Sequence, residues 1–181
     1  MPSPTPTPDH LREAALQHLG RYATTSAGLL RVLDRQIQRW AALTAPEADA
    51  ATALRAAARA IVADLQAQGL VDDAAFADMR ARRLIRSGHS RRAVAAHLAA
   101  RGVDRQTLQA VIPAEDDLAA ALAAASRRRI GPFRATPPNA QLRQKDLAAL
   151  ARAGFDRYVS ERALDLSRPE AEALVLQLKR G

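Results

Sequence analysis

The chain has 181 residues, no cysteine, and a net charge of +8 from 27 Lys and Arg against 19 Asp and Glu. Without thiols, it forms no disulfides, thiolate zinc sites, iron–sulfur clusters or cysteine nucleophiles, a composition suited to a reducing cytoplasm. Hydrophobic residues reach 48%, but alanine supplies half of them and aromatics only 3% of the chain, which favours closely approaching helices over a thick β-core.

The opening Met-Pro-Ser-Pro-Thr-Pro-Thr-Pro lacks the basic start and apolar run of a signal peptide, and no later stretch approaches a membrane span. The expectation is a soluble cytoplasmic protein, free of membrane, with a disordered Pro-rich tail over residues 1–8. A first helix is predicted after Asp9, with Leu11, Ala15, His18 or Leu19 and Tyr22 on one stripe. A second begins near Ser26 and repeats Leu29, Leu30, Leu33, Ile37 and Trp40; Pro46 interrupts the pattern. The third carries Leu54, Ala58, Ile61 and Leu65 and stops at Gly69.

Asp72 and Asp73 suit the cap of a fourth helix, because carboxylates accept its free N–H groups and oppose the positive end of its dipole. Its inward face is either Phe76 with Met79 or Ala77 with Leu84, and Phe76 is expected to be buried. Ser87-Gly88 ends it; Ser90 caps a fifth helix with Val94 and Leu98; Gly102 stops that, and Asp104 caps a sixth with Leu108, Val111 and Ile112. Glu115-Asp116-Asp117 opens a seventh, with Leu118, Leu122 and Ala125, which runs into Arg127-Arg128-Arg129 and stops at Gly131-Pro132. After a Pro-rich loop come an eighth helix with Leu142, Leu147 and Leu150, and a ninth capped by Asp156 with Val159, Ala163 and Leu166. A last helix follows the capping-box pattern Ser-Arg-Pro-Glu at 167–170 and carries Ala171, Leu174, Val175 and Leu178.

The ending Leu-Ala-Ala-Arg-Gly-Val-Asp (98–104) returns as Leu-Ala-Arg-Ala-Gly-Phe-Asp (150–156), so a helix-stop-helix unit recurs. The expected fold is all-α: three tandem three-helix repeats at 9–70, 71–113 and 114–181, the last with a C-terminal helix. Units this small need neighbours to bury their cores, so the repeats should stack into an elongated curved solenoid.

Charge is unevenly distributed. Residues 1–79 hold 7 basic and 9 acidic side chains, 80–105 hold 8 Arg against Asp104 alone, and 127–168 hold 10 basic against 4 acidic. Compositional bias explains arginine over lysine, but not the absence of acids from 80–103. Such a field suits a polyanionic or acidic partner. The candidate surface is Arg82, Arg83, Arg86, Arg91, Arg92, Arg101, Arg127, Arg128, Arg129 and Arg134.

Catalytic chemistry has few residues to stand on. His10, His18, His89 and His97 form no i, i+4 metal pair, Asp72 and Asp73 read as caps, and the glycines are scattered singly as helix stops rather than gathered in a phosphate loop. No catalytic residue, metal site or cofactor is expected. Tyr22, Trp40, Phe76 and Phe155 occupy packing positions, which disfavours base stacking. Ser87-Gly88-His89 followed by Arg91-Arg92 resembles the turn and recognition helix of a helix-turn-helix transcription regulator, although that helix is mostly Ala beyond Arg92. A purely structural helical adaptor is a third reading.

Gly69-Leu70-Val71-Asp72-Asp73 with Phe76-Ala77, the Arg-rich helix, Ser-Gly-His-Ser (87–90) and Leu-Ala-Ala-Arg-Gly-Val-Asp together resemble the RecX family, bacterial regulators of the recombinase RecA. Arg-Arg-Arg-Ile-Gly-Pro-Phe-Arg (127–134) and the 146–156 segment extend the resemblance, which covers about residues 10–166. It implies a monomeric, non-enzymatic regulator without cofactors that binds RecA filaments on single-stranded DNA. Such regulators act in DNA repair, homologous recombination and the SOS response, usually by inhibiting filament growth, ATP hydrolysis and strand exchange.

Overall fold

In the computed structural model, which describes residues 6–45, 48–112, 117–136 and 139–180, the chain folds into ten α-helices and one 3₁₀ turn, with no strand among the described residues. It divides into two compact units, Met1–Phe76 with Arg101–Asp104, and Ala77–Ala100 with Arg105–Gly181.

In the first unit, α1 (Pro8–Leu19), α2 (Ser26–Thr44) and α3 (Ala48–Ala67) enclose a core of Leu11, Leu29, Leu33, Ile37, Trp40 and Leu65. Thr7, not Asp9, caps α1. Its hydroxyl accepts from His10 N while His10 Nδ1 accepts from Thr7 N, and Pro8 occupies the first helical position, where its missing N–H is no loss. The helix therefore begins inside the segment read as a tail. It ends at Leu19, so Tyr22 lies past the helical stripe and is 60% exposed, stacked against His18 instead of packed in the core. The expected break at Pro46 lies outside the described residues, but α2 already ends at Ala45, which adopts φ 43°.

The second unit holds most of α4 (Asp73–Arg86), then α5 (Arg91–Ala100), α6 (Arg105–Val111), α7 (Leu118–Arg128), α8 (Ala140–Arg152), α9 (Arg157–Asp165) and α10 (Arg168–Arg180). The inward positions of α4 are Ala77, Ala81 and Leu84; Met79 is exposed and Phe76 half-buried. Of the two stripes the sequence allowed, the smaller side chains face in. α7 departs from the amphipathic pattern: every residue from Ala120 to Ala125 is buried, the mark of a helix surrounded on all sides. Alanine allows its neighbours to come close, and Phe155 ahead of α9, Val159 and Ala163 of α9 and Val175 of α10 share its core. The acidic opening expected for α7 at Glu115 and Asp116 lies outside the described residues.

One junction occurs twice. The N-terminus of α2 is capped by Thr25, buried, whose hydroxyl accepts from Gly28 N at 2.9 Å and donates to Arg101 O at 2.7 Å. The N-terminus of α5 is capped by Ser90, also buried, whose hydroxyl accepts from Ala93 N at 3.2 Å and donates to Ala153 O at 3.0 Å. A carboxylate from another helix completes each: Ser26 N donates to Asp73 Oδ1 at 2.7 Å and Ser26 Oγ to Asp73 Oδ2 at 2.6 Å, while Arg91 N donates to both oxygens of Asp117 at 2.9 and 3.1 Å. Asp73 and Asp117 thus cap helices other than their own, each opposing a positive dipole end. Asp72 alone does what the sequence assigned to the pair, accepting from Ala75 N.

The recurrent sequence motif supplies the carbonyl side of this junction. Gly102 (φ +87°) and Gly154 (φ +90°) follow the accepting carbonyls; a Cβ on Gly102 would meet Ala27 Cβ at 2.3 Å, and one on Gly154 would meet Ser90 Oγ at 2.5 Å. The cap of α8, Asn139, is different: it is exposed and simply accepts from Leu142 N at 2.8 Å.

A second internal fastening holds the loop after α7. Gly131 N and Arg134 Nη2 both donate to the carboxylate of Asp146, which is 3% exposed, at 3.1 and 2.6 Å.

Glycine substitutions separate backbone from packing. Gly69 (φ +72°) has nothing within 4 Å of an added Cβ, so Gly69→Ala should lose only the left-handed penalty of about 1–2 kcal/mol. Gly154→Ala should lose about 1–3 kcal/mol more from overpacking, and urea unfolding midpoints measure the difference. Asp146→Ala leaves Arg134 and the Gly131 N–H without their acceptor and should destabilise by about 3–5 kcal/mol, read in the same experiment.

Candidate polyanion-binding surface

Acidic partners divide the arginines into two classes. Arg12, Arg55, Arg143, Arg157 and Arg168 pair with Asp64, Asp34, Asp165, Glu161 and Glu172. The Arg12 guanidinium holds the Asp64 carboxyl below its ordinary pKa, aided by Gln68. Two of the candidate residues belong to this paired class. Arg82 is bonded to Asp78 one turn earlier at 3.0 Å, and Arg134 is held by Asp146 with its side chain only 20% exposed. Arg134 is therefore a fastening of its loop.

Of the remaining candidates, Arg83, Arg92, Arg101, Arg127, Arg128 and Arg129 are exposed, whereas Arg86 and Arg91 are half-buried. On α4, Arg83 is exposed and Arg86 half-exposed, and neither has an acidic partner among the described residues. α4 ends where Gly88 N and His89 N bond back to Ile85 O and Leu84 O, the 5→2 and 6→1 pattern of a Schellman cap. Gly88 lies flush on α7: an added Cβ would sit 2.6 Å from Ala124 N. Ile85 packs into the core around α7. The end of α4 thus lies within a helical turn or so of Arg127 and Arg128.

Arg127, Arg128 and Arg129 are exposed at the C-terminus of α7, where the helix dipole favours cations. Arg129 has φ 53°, and it and Ile130 donate to Ser126 O and Ala125 O. The same cap after α3, α4 and α8 uses Gly69, Gly88 and Gly154. An arginine at that position accepts a left-handed penalty of about 1–2 kcal/mol.

At the start of α5, Arg91 is half-buried with its N–H held by Asp117, while Arg92 is exposed. Arg105, exposed at the start of α6, lines the same groove as Arg92; sequence reading counted its charge without placing it on the surface. Arg101 belongs to the first unit; its side chain is exposed, and its carbonyl accepts from Thr25 Oγ and Arg31 Nη2.

Phosphate or carboxylate contact is therefore available, whereas most of α5 has nothing to offer base edges. Beyond Arg92 the exposed positions of α5 are Ala96, Ala99 and Ala100, which offer base edges no donor or acceptor. His97 is half-buried with Arg80 Nε 3.3 Å from its Nε2, and His89 Nδ1 lies 3.0 Å from Ser87 Oγ. Tyr158 is the second exposed aromatic beside Tyr22, with Arg162 over its ring at 5.3 Å. Among the described residues no cluster of three or more His, Asp or Glu could hold a metal ion, and no helix is long and apolar enough to cross a membrane.

Residues 72–112, which span α4 to α6, match the family model described as RecX, second three-helix domain. Over 166 residues the chain is 38% identical to the regulatory protein RecX of Myxococcus xanthus, covering 88% of this chain and 86% of that protein. It is also 34% identical over 105 residues to the regulatory protein RecX of Agrobacterium fabrum, covering 58% of this chain and 57% of that one. The match at the junction and arginine-rich region, carried through most of both chains in the first of these relatives, places the chain in the RecX family of regulatory proteins.

Proposed function

We propose that this chain is a monomeric, non-enzymatic regulator that binds RecA filaments on single-stranded DNA and inhibits their ATP hydrolysis and strand exchange. The observation that carries this reading is the separation of arginines into neutralised and unneutralised classes. Arg83, Arg86, Arg92, Arg127 and Arg128 have no acidic partner among the described residues and lie on the outer faces of α4 and α5 and at the exposed end of α7. Arginine forks bind carboxylates and phosphates alike in bidentate fashion, so such a surface suits a target presenting both protein and DNA. Regulation then works by occupancy, in the cytoplasm, without a cofactor. The helix-turn-helix transcription-regulator reading has the turn, but beyond Arg92 the exposed positions of α5 are alanines.

Charge reversal tests the proposal. Arg83→Glu, Arg86→Glu, Arg127→Glu and Arg128→Glu combined should leave helix content unchanged, since exposed charges contribute little to stability. Inhibition of RecA ATPase on single-stranded DNA should weaken at least tenfold. If all four meet phosphates, log affinity against log salt should have a slope of about −3, from roughly −0.7 per contact, and the variant should flatten it. A shallow wild-type slope with filament binding intact would assign these arginines to the protein surface of the filament; undiminished inhibition by the variant would remove them from the working face.

A further inference from the structure

Three helix pairs, α2–α3, α5–α6 and α8–α9, each form a groove with arginines on its walls. In the α2–α3 groove the carboxylate of Asp34 lies in the lining and is bonded to Arg55 at 2.9 Å. In the α8–α9 groove Arg143 and Arg157 are bonded to Asp165 and Glu161, each at 2.7 Å. The α5–α6 groove, about 460 Å³, has no carboxylate in its lining, and Arg92 and Arg105 have no acidic partner among the described residues.

Its floor is also less covered. α3 and α9 bury several side chains each, whereas α6 buries none, and Leu108 and Ile112 remain half-exposed in the groove beside Ala95. Apolar surface flanked by two unneutralised cations is complementary to a segment that is apolar on one face and acidic at its edges. A phosphodiester backbone would satisfy the arginines and leave Leu108 and Ile112 in contact with charge. At 1.5 Å per residue, the ten residues of α5 match about three turns of a docked helix.

We infer that the α5–α6 groove binds an acidic amphipathic helix, with apolar side chains at i, i+3/i+4 and i+7 on Leu108 and Ile112 and carboxylates on Arg92 and Arg105. The inference rests on the regulatory reading above in one respect: the segment belongs to the protein being regulated. The groove is then where this chain recognises protein, and the Arg83, Arg86, Arg127 and Arg128 charges serve the DNA side.

The test uses the full chain and a fluorescein-labelled peptide of about a dozen residues, with leucines at those spacings and glutamates elsewhere. A scrambled peptide of the same composition and an oligo-dT strand serve as comparisons, all read by fluorescence anisotropy. The amphipathic peptide should bind at least tenfold more tightly than its scramble. Arg92→Glu with Arg105→Glu, both exposed sites, should lose that binding at unchanged helix content, and Leu108→Gln should lose it with all charge retained. The Arg92/Arg105 double variant should also lose inhibition of RecA ATPase. Equal affinity for the scramble would reduce the groove to bare charge and overturn the inference, as would loss of oligo-dT binding in the double variant with peptide binding unchanged. Peptide binding by a wild-type chain that leaves RecA ATPase untouched would overturn the regulatory reading and not the groove. Inhibition of RecA without peptide binding would overturn the groove alone.

Discussion

The fold depends on how two buried helix N-termini are satisfied. The first turn of any α-helix has N–H groups with no partner inside the helix, and burying them unpaired costs about 1–3 kcal/mol each. Here Thr25 and Ser90 supply one acceptor apiece from the cap position, and Asp73 and Asp117 supply another from a different helix. Each cap hydroxyl also donates its proton to a carbonyl that closes the end of a further helix, Arg101 O or Ala153 O. Three chain segments are fixed to a single point in this way, and the geometry tolerates little slippage because Gly102 and Gly154 come close enough to exclude a side chain. The position of Arg92 follows from this: it is the second residue of a helix whose first N–H is clamped.

Much of this was legible in the sequence because it is local. Helix stops at Gly69, Gly88, Gly102 and Gly154 follow from backbone conformation, and the recurrence of Leu-x-x-x-Gly-x-Asp marks the carbonyl side of both junctions. What was not legible is non-local. Asp73 and Asp117 both sit where a helix would be capped by its own residue, and nothing in the adjacent sequence says that their carboxylates turn elsewhere. Asp146 is a polar residue of α8 with nothing beside it in the sequence to mark it, yet it holds the loop containing Arg134. The alanines of α7 are a third case: a stripe of Leu118, Leu122 and Ala125 describes an amphipathic helix, whereas residues 120–125 are buried all round. Alanine carries too weak a hydrophobic signal to reveal which face is inside.

The division of the arginines shows the same difference between counting and placing. A net charge says how much positive charge exists, but Coulomb attraction near a surface depends on what stands within a few ångströms. Arg82 and Arg134 fell in the basic stretches and are neutralised by Asp78 and Asp146. Arg105 sits at the edge of one stretch and has no acidic partner among the described residues. Arg129 adds a conformational dimension: its backbone adopts a state that glycine reaches without strain, and the helix dipole returns only about 0.3–1 kcal/mol of the penalty.

The cap of α8 is built differently from the two junctions. Thr25 and Ser90 are buried hydroxyls with a proton to donate, and each is satisfied by a carbonyl from a later helix; Asn139 is exposed, needs one backbone N–H, and finds it three residues away. A buried cap leaves a vacancy in hydrogen bonding that the next part of the chain must fill, whereas a solvated one leaves none. The chemistry of one side chain thus distinguishes the two junctions from the start of α8: asparagine at 139 closes its own helix and ties no further segment of the chain to it.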